Sequence, residues 1–295
     1  MDALTVSQPA ALRLIEAETS TDRLIIERWL HGKASTTQAA YARDLELFLA
    51  FVGRPLDQVT LRDLQEWQDE LGVEVQQVSV RRKLAAVKSL LKFAHQSGLL
   101  SFDVGVALKL PKVRDTLADR IISDSDVQRM IRYEPGKRNR LMLRLLYTAA
   151  LRVSELCSLE WRDLRRAKQG GVVNVFGKGS KSRTVWITAE LFDALLAFRG
   201  THKPSEPLFG SRQGGHLTTT RVWMIVREAA KRVGIEADVS PHFLRHAHAT
   251  EALHNGAPID LVSQTLGHSS AAVTSRYLHA SPRESSAKYL PQGDE

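Results

Sequence analysis

Between residues 172 and 187 the hydrophobic period of this chain changes. Before and after that stretch, apolar residues recur at the three- and four-residue intervals of helices. Within it stand VVNVF and RTVWI, two short β-branched runs separated by GKGSKS. Such runs joined by a glycine-rich turn form a β-hairpin. One hairpin among helices limits the chain to a mainly α fold with a small β-sheet.

The helical stretches fall into two groups. Residues 21–102 read as a bundle. TDRLIIERWL is a short amphipathic helix. Ser35 caps a second, with Tyr41, Leu45, Phe48 and Phe51 on one stripe. Thr60 starts a third, through Leu64, Trp67 and Leu71. Ser79 starts a fourth, VRRKLAAVKSLLKFAHQ, ended by Gly98. Residues 103–120 hold Gly105, Pro111 and several basic side chains, with little periodicity, and read as a linker. Ser123, with Asp126 three places on, caps the first helix of the second group. Further helices are expected at 137–149, from 154, and at 189–198, 219–233, 241–254, 258–266 and 270–278. The expected organisation is a lead-in over 1–20, a helical domain over 21–105, a linker over 106–120, a mixed α/β domain over 121–283 and a tail over 284–295.

Charge is unevenly spread. Residues 1–110 carry 13 basic and 14 acidic side chains, net −1, whereas residues 111–295 carry 28 and 19, net +9. A basic region of this kind suits a polyanion, DNA above all. In the near-neutral first region, Arg81, Lys88 and Lys92 share one face of the fourth helix, and no acidic residue occurs between Val75 and Phe102. These three are candidate phosphate contacts. No apolar run is long enough to span a bilayer, the first residues lack a signal-peptide pattern, and Cys157 is the sole cysteine. A cytoplasmic protein without a membrane partner is expected.

Four segments of the second region hold side chains with chemistry. TAALRVSELCSL carries Arg152 and Glu155, the turn FGKGSKSR carries Lys178, PHFLRHAHAT carries His242 and Arg245 at i, i+3, and LGHSSAAVTSRYLH carries His268 and Tyr277. Together they make a metal-free set for phosphodiester chemistry. Arginine forks grip phosphoryl oxygens, lysine or histidine protonates a leaving alkoxide, and tyrosine attacks.

In order and local sequence these motifs resemble the tyrosine recombinases, or phage integrase family, from about residue 21 to about 282. The resemblance implies a helical core-binding N-terminal domain and a mixed α/β catalytic domain of tyrosine recombinase type. Residue by residue it implies Arg152, Lys178, His242, Arg245, His268 and Tyr277 as the catalytic set, with Glu155 supporting Arg152. Tyr277 would form a 3′-phosphotyrosyl bond, Arg152, Arg245 and His268 would stabilise the transition state, Lys178 would be the acid, and His242 the base or proton shuttle. Neither metal nor ATP nor another cofactor is implied. The implied partner is double-stranded DNA at a specific site, bound by a homotetramer on two duplexes or with a second recombinase.

The chain length resembles the Xer recombinases and mobile-element integrases. Ala247-His248 stands where Xer proteins usually have Ser-Phe, Leu278-His279 where they have Thr-His, and the tail ESSAKYLPQGDE differs from theirs. The expected role is therefore integration, excision or resolution of a mobile element or plasmid, with Xer-type chromosome-dimer resolution as the alternative. Readings of other classes are a DNA-binding regulator without catalysis, a type IB topoisomerase, and a metal-dependent hydrolase using His242, His246, His248 and Glu251.

Overall fold

The computed structural model describes residues 20–177, 182–268 and 270–280. The chain divides into two compact units, Met1–Arg114 and Asp115–Glu295.

The first unit is helical: α1 (Ser20–Leu30), α2 (Ser35–Val52), α3 (Leu61–Glu74) and α4 (Gln77–Gln96). Its core gathers Ile26, Leu45, Phe48, Leu64, Trp67, Leu84, Val87 and Leu91. Thr60 starts α3 through a capping box, its hydroxyl accepting from the Asp63 N–H while the Asp63 carboxylate accepts from the Thr60 N–H. Other expected caps move. Ala34 precedes α2 in extended backbone, so Ser35 is the first helical residue. α4 begins one turn before Ser79's expected start, behind extended Gln76. Phe51 leaves the expected apolar stripe and is exposed, while Val52 is buried in its place.

Part of the stretch expected as a linker packs into the core of the first unit. A 3₁₀ turn at Val104–Ala107 follows Asp103, whose carboxylate accepts from the Gly105 N–H, and Val104 and Leu108 are buried in the first unit. Side chains of α4 hold this segment. Arg81 donates to the Pro111 carbonyl at 2.8 Å and Lys88 to the Leu108 carbonyl at 2.5 Å.

The second unit runs α5 (Asp124–Arg132), α6 (Lys137–Thr148), α7 (Val153–Ser158), β1 (Leu164–Ala167), β2 (Gly170–Phe176), β3 (Ser182–Ile187), α8 (Ala189–Arg199), α9 (Thr219–Arg232), α10 (Pro241–His254), α11 (Ile259–Leu266) and α12 (Ala271–Ala280). Ser123 caps α5, accepting from the Asp126 N–H as its spacing predicts. Among the described residues the strands form an antiparallel sheet in the order β1-β2-β3, with Val173 opposite Val185 and Val175 opposite Arg183. β1 has no strand signature in the sequence: LRRA has one apolar residue at each end and no β-branched side chain. Val173, Val175, Val185 and Ile187 point into the main core. At Gly171 the backbone lies so close to α8 that an added Cβ would stand 2.0 Å from the Phe192 ring.

α10 stands between two cores. Leu244 and Ala247 join the main one, while Ala249 and Leu253 join a smaller one with Ala150, Val262, Leu266 and Tyr277. This placement brings the face of α10 carrying His242, Arg245 and His246 toward α11, α12 and the end of α6.

Candidate active site

The C-terminal end of α11 organises the site. Gly267 ends that helix in the left-handed region, φ +62, leaving carbonyls without helical partners. Three guanidinium groups meet them. Arg245 donates to the Leu266 carbonyl at 2.5 Å, Arg183 to Thr265 at 2.8 Å and Arg152 to Gly267 at 3.1 Å. Cations at a helix C-terminus are favoured by the helix dipole. Arg245 also donates to the Ala150 carbonyl at 2.5 Å. Ala150 has φ +49, a left-handed conformation costly for alanine, and it turns the chain from α6 into the residue preceding α7.

That residue is Arg152. Glu155, in the first turn of α7, accepts from the Arg152 backbone N–H and from its guanidinium, both at 2.8 Å. Glu155 also takes a bidentate pair from Arg183, at 2.8 and 2.9 Å. Burial raises the Glu155 pKa, but the bonds from Arg183 and then Arg152 outweigh it and bring it down to about 2. The carboxylate is thus fixed as an anion between two arginines. Arg245 is 4% exposed, and burial followed by the charge of Arg152 lowers its pKa to about 10, which leaves it cationic at neutral pH.

Arg183 belongs to none of the expected catalytic positions, yet the strand pattern carries a signal for it. Alternation along RTVWI puts Arg183 on the same face as Val185 and Ile187, and an arginine on the inward face of a strand needs an anionic partner.

The histidines and the tyrosine close the site. His268 Nδ1 pairs with the Thr274 hydroxyl at 2.9 Å, and its ring stacks beside that of Tyr277, 6.4 Å between centroids and 8° from parallel. Burial, then Arg245, lowers the His268 pKa to about 4, so the ring is neutral at pH 7. Burial is also the main cause that raises Tyr277 above the usual phenol range. The Tyr277 hydroxyl stands 2.9 Å from His246 Nδ1. His242 lies one turn back along α10, its ring 6.3 Å from that of His246. Its pKa is lowered by burial and then by Arg245.

The structure therefore brings together Arg152, Glu155, His242, Arg245, His268 and Tyr277, and adds Arg183 and His246. Lys178, like its neighbour Lys181, lies outside the described residues. In the first unit, Arg81 and Lys88 hold backbone carbonyls, whereas Lys92 is exposed and makes no hydrogen bond or ion pair among the described residues. Nor do any three His, Cys, Asp or Glu residues among them cluster closely enough to hold a metal ion. His248 is turned away from the site, edge-on to Tyr147, and burial lowers its pKa to about 4.

The phage integrase family matches residues 120–284, and the phage integrase N-terminal SAM-like domain matches residues 22–98. The chain belongs to the phage integrase family. It is a tyrosine recombinase of the Xer-like branch, an enzyme that cleaves and religates DNA. It is 34% identical to the tyrosine recombinase XerD of Pseudomonas aeruginosa over 92% of this chain and 97% of that one. It is 33% identical to the tyrosine recombinase XerC of Mycobacterium bovis over 84% and 89%. Its fold is similar to that of a lambda integrase fragment bound as a dimer to a COC′ core site, with TM-score 0.74, 16% identity, and coverage of 90% of this chain and 95% of that one. No helix among the described residues is long and apolar enough to cross a membrane.

Proposed function

We propose that this recombinase exchanges strands at one specific DNA site, through Tyr277, for a mobile element or plasmid. The observation that carries the reading is the Tyr277 hydroxyl, 2.9 Å from His246 Nδ1 and within reach of the charge of Arg245. Tyr277 attacks the scissile phosphorus and keeps the 3′ phosphate, while a 5′ hydroxyl is freed. Arg152 and Arg245 bind the non-bridging oxygens, whose charge grows in the transition state. Their guanidinium groups already hang on fixed carbonyls and on Glu155, so little reorganisation is needed when phosphate arrives. Neutral His268, oriented through Thr274, donates a further hydrogen bond. Lys178 protonates the leaving 5′ oxygen. Attack by the 5′ hydroxyl of a partner strand reverses the step, so the phosphoester bond is conserved without ATP.

Lys92 contacts backbone phosphate from the first unit, with Arg81 and Lys88 adding charge from the same helix. The working assembly is four protomers on two duplexes, and the protein acts in the cytoplasm. Lambda integrase and the XerH recombinase, whose solved complexes contain DNA core or difH sites, are similar in fold.

The mobile-element reading rests on Ala247-His248 and Leu278-His279, where the chain departs from the Xer pattern. Likeness to XerD and XerC at 34% and 33% identity favours a second reading, chromosome-dimer resolution with a partner recombinase. DNA selected from a random pool by the purified protein gives the site. Two copies of that site should then recombine with this protein alone, and not with Tyr277→Phe. Recombination only after a second recombinase is added would favour the Xer role.

A further inference from the structure

We infer that His246 is the catalytic base of this site, its Nδ1 taking the Tyr277 hydroxyl proton as the phenol oxygen attacks phosphorus. This deepens the proposed function and rests on Tyr277 being the nucleophile.

The geometry selects one of three histidines. His246 Nδ1 is at hydrogen-bond distance from Tyr277 Oη, 2.9 Å, with the ring centroids 5.6 Å apart and the rings 44° from parallel. His268, with its ring centroid 6.4 Å from that of the tyrosine, makes no hydrogen bond to the hydroxyl among the described residues. Its Nδ1 is moreover engaged by Thr274. His242, the base implied by resemblance, makes no hydrogen bond to Tyr277 among the described residues and stands behind His246 on the same helical face. A general base must first be within reach of the proton it removes.

The charge state is compatible. Burial, then the charges of His242, Arg120, Arg245 and Arg276, lowers the His246 pKa to about 4, so the free site holds a neutral ring able to accept a proton. These groups come from α10 itself, from the turn at Ala118–Arg120 and from α12. An arriving phosphodiester brings a negative charge among the same cations. That charge favours the imidazolium and raises the basicity of His246 when substrate is bound. In the step, the Oη–H bond breaks and the proton passes to Nδ1. The Oη–P bond forms, the P–O5′ bond breaks, and O5′ takes a proton from the acid, Lys178. Religation returns the Nδ1 proton to Oη.

The test is the rate of covalent adduct formation on a nicked duplex that traps the intermediate. Native protein forming no adduct, or Tyr277→Phe still forming one, would defeat the proposed function itself. Given an adduct that needs Tyr277, His246→Gln should bind DNA as the native chain does and form adduct about 10²–10⁴-fold more slowly, the usual span of a general base. A more acidic fluorotyrosine at 277 should restore most of that rate in His246→Gln, because a phenol that ionises alone needs no base. Adduct formation by His246→Gln within about threefold of native, or rescue by fluorotyrosine in His242→Gln and not in His246→Gln, would overturn the assignment. Should His246→Gln fail to fold, the native chain gives the answer. With His246 as base, the pH at which cleavage half-develops stays in place when fluorotyrosine replaces Tyr277. Its moving down with the phenol's acidity would overturn the proposal.

Discussion

Replacing Glu155 by glutamine should destabilise the second unit by roughly 3 kcal/mol at pH 7. The figure follows from the folded-state carboxyl. Its pKa falls from 4.5 to about 2, because Arg183 and Arg152 together overcome the cost of burial. At about 1.36 kcal/mol per pH unit, that gap amounts to the stated value. Glutamine keeps one acceptor but turns an N–H₂ toward guanidinium donors. It leaves the Arg183 charge, 14% exposed, without its anion. Breaking a buried pair from one side typically costs about 3–5 kcal/mol, and the more exposed Arg152 places the expectation at the lower end. In a unit of the size Asp115–Glu295 the loss corresponds to about 6–12 °C in Tm.

The pH dependence has a fixed sign. A depressed carboxyl stabilises fully above its unfolded-state pKa, here 4.5, and the contribution fades as pH falls toward about 2. Urea unfolding between pH 7 and pH 3 should therefore show a native second unit weakening with acid more steeply than Glu155→Gln. Tryptophan emission reports both units, since Trp29 and Trp67 lie in the first and Trp161, Trp186 and Trp223 in the second. The first-unit transition serves as the internal control. A Glu155→Gln chain within about 0.5 kcal/mol of native at pH 7, with the same acid response, would show that the carboxylate does not hold Arg183 and Arg152 in place.

Other outcomes follow from the same site. DNA binding should lose about 10³–10⁵ in affinity between 50 and 200 mM salt if roughly 6–10 phosphates are contacted, and a flat response in a filter-binding titration would remove the phosphate surfaces from the account. Adduct formation should persist in excess chelator, because arginines supply the positive charge; loss in chelator with rescue by a divalent ion would contradict that role. Lys178→Ala should cleave ordinary DNA slowly and DNA with a 5′ sulfur leaving group at nearly the native rate, because a thiolate leaves without protonation. The same rescue in Arg152→Ala, or in His242→Ala in place of Lys178→Ala, would move the acid elsewhere.

What the sequence disclosed was whatever local chemistry decides. The Thr60 and Ser123 caps and the alternation of the two hairpin strands are local, and each is found where the pattern puts it. Contacts distant in sequence were not legible. Arg81 and Lys88 read as free cations because Leu108 and Pro111, twenty and thirty residues away, gave no sign that their carbonyls would return to α4. Val104 and Leu108 sit amid glycine, proline and charge, and their burial is tertiary. His246 was legible only as the second of an i, i+4 pair on α10. That spacing suggested a shared metal, and its relation to Tyr277, thirty-one residues on, depends on α12 packing against α10.

The proposed function turns on covalent attachment of DNA at Tyr277. Incubating the native protein with a nicked duplex of its selected site, digesting the trapped complex and sequencing the nucleotide-bearing peptide by mass spectrometry tests it directly. A single modified peptide is expected, with the DNA joined through its 3′ phosphate to the Tyr277 oxygen. A nucleotide on any other residue, a 5′-phosphate linkage, or cleaved DNA with no protein attached would contradict it.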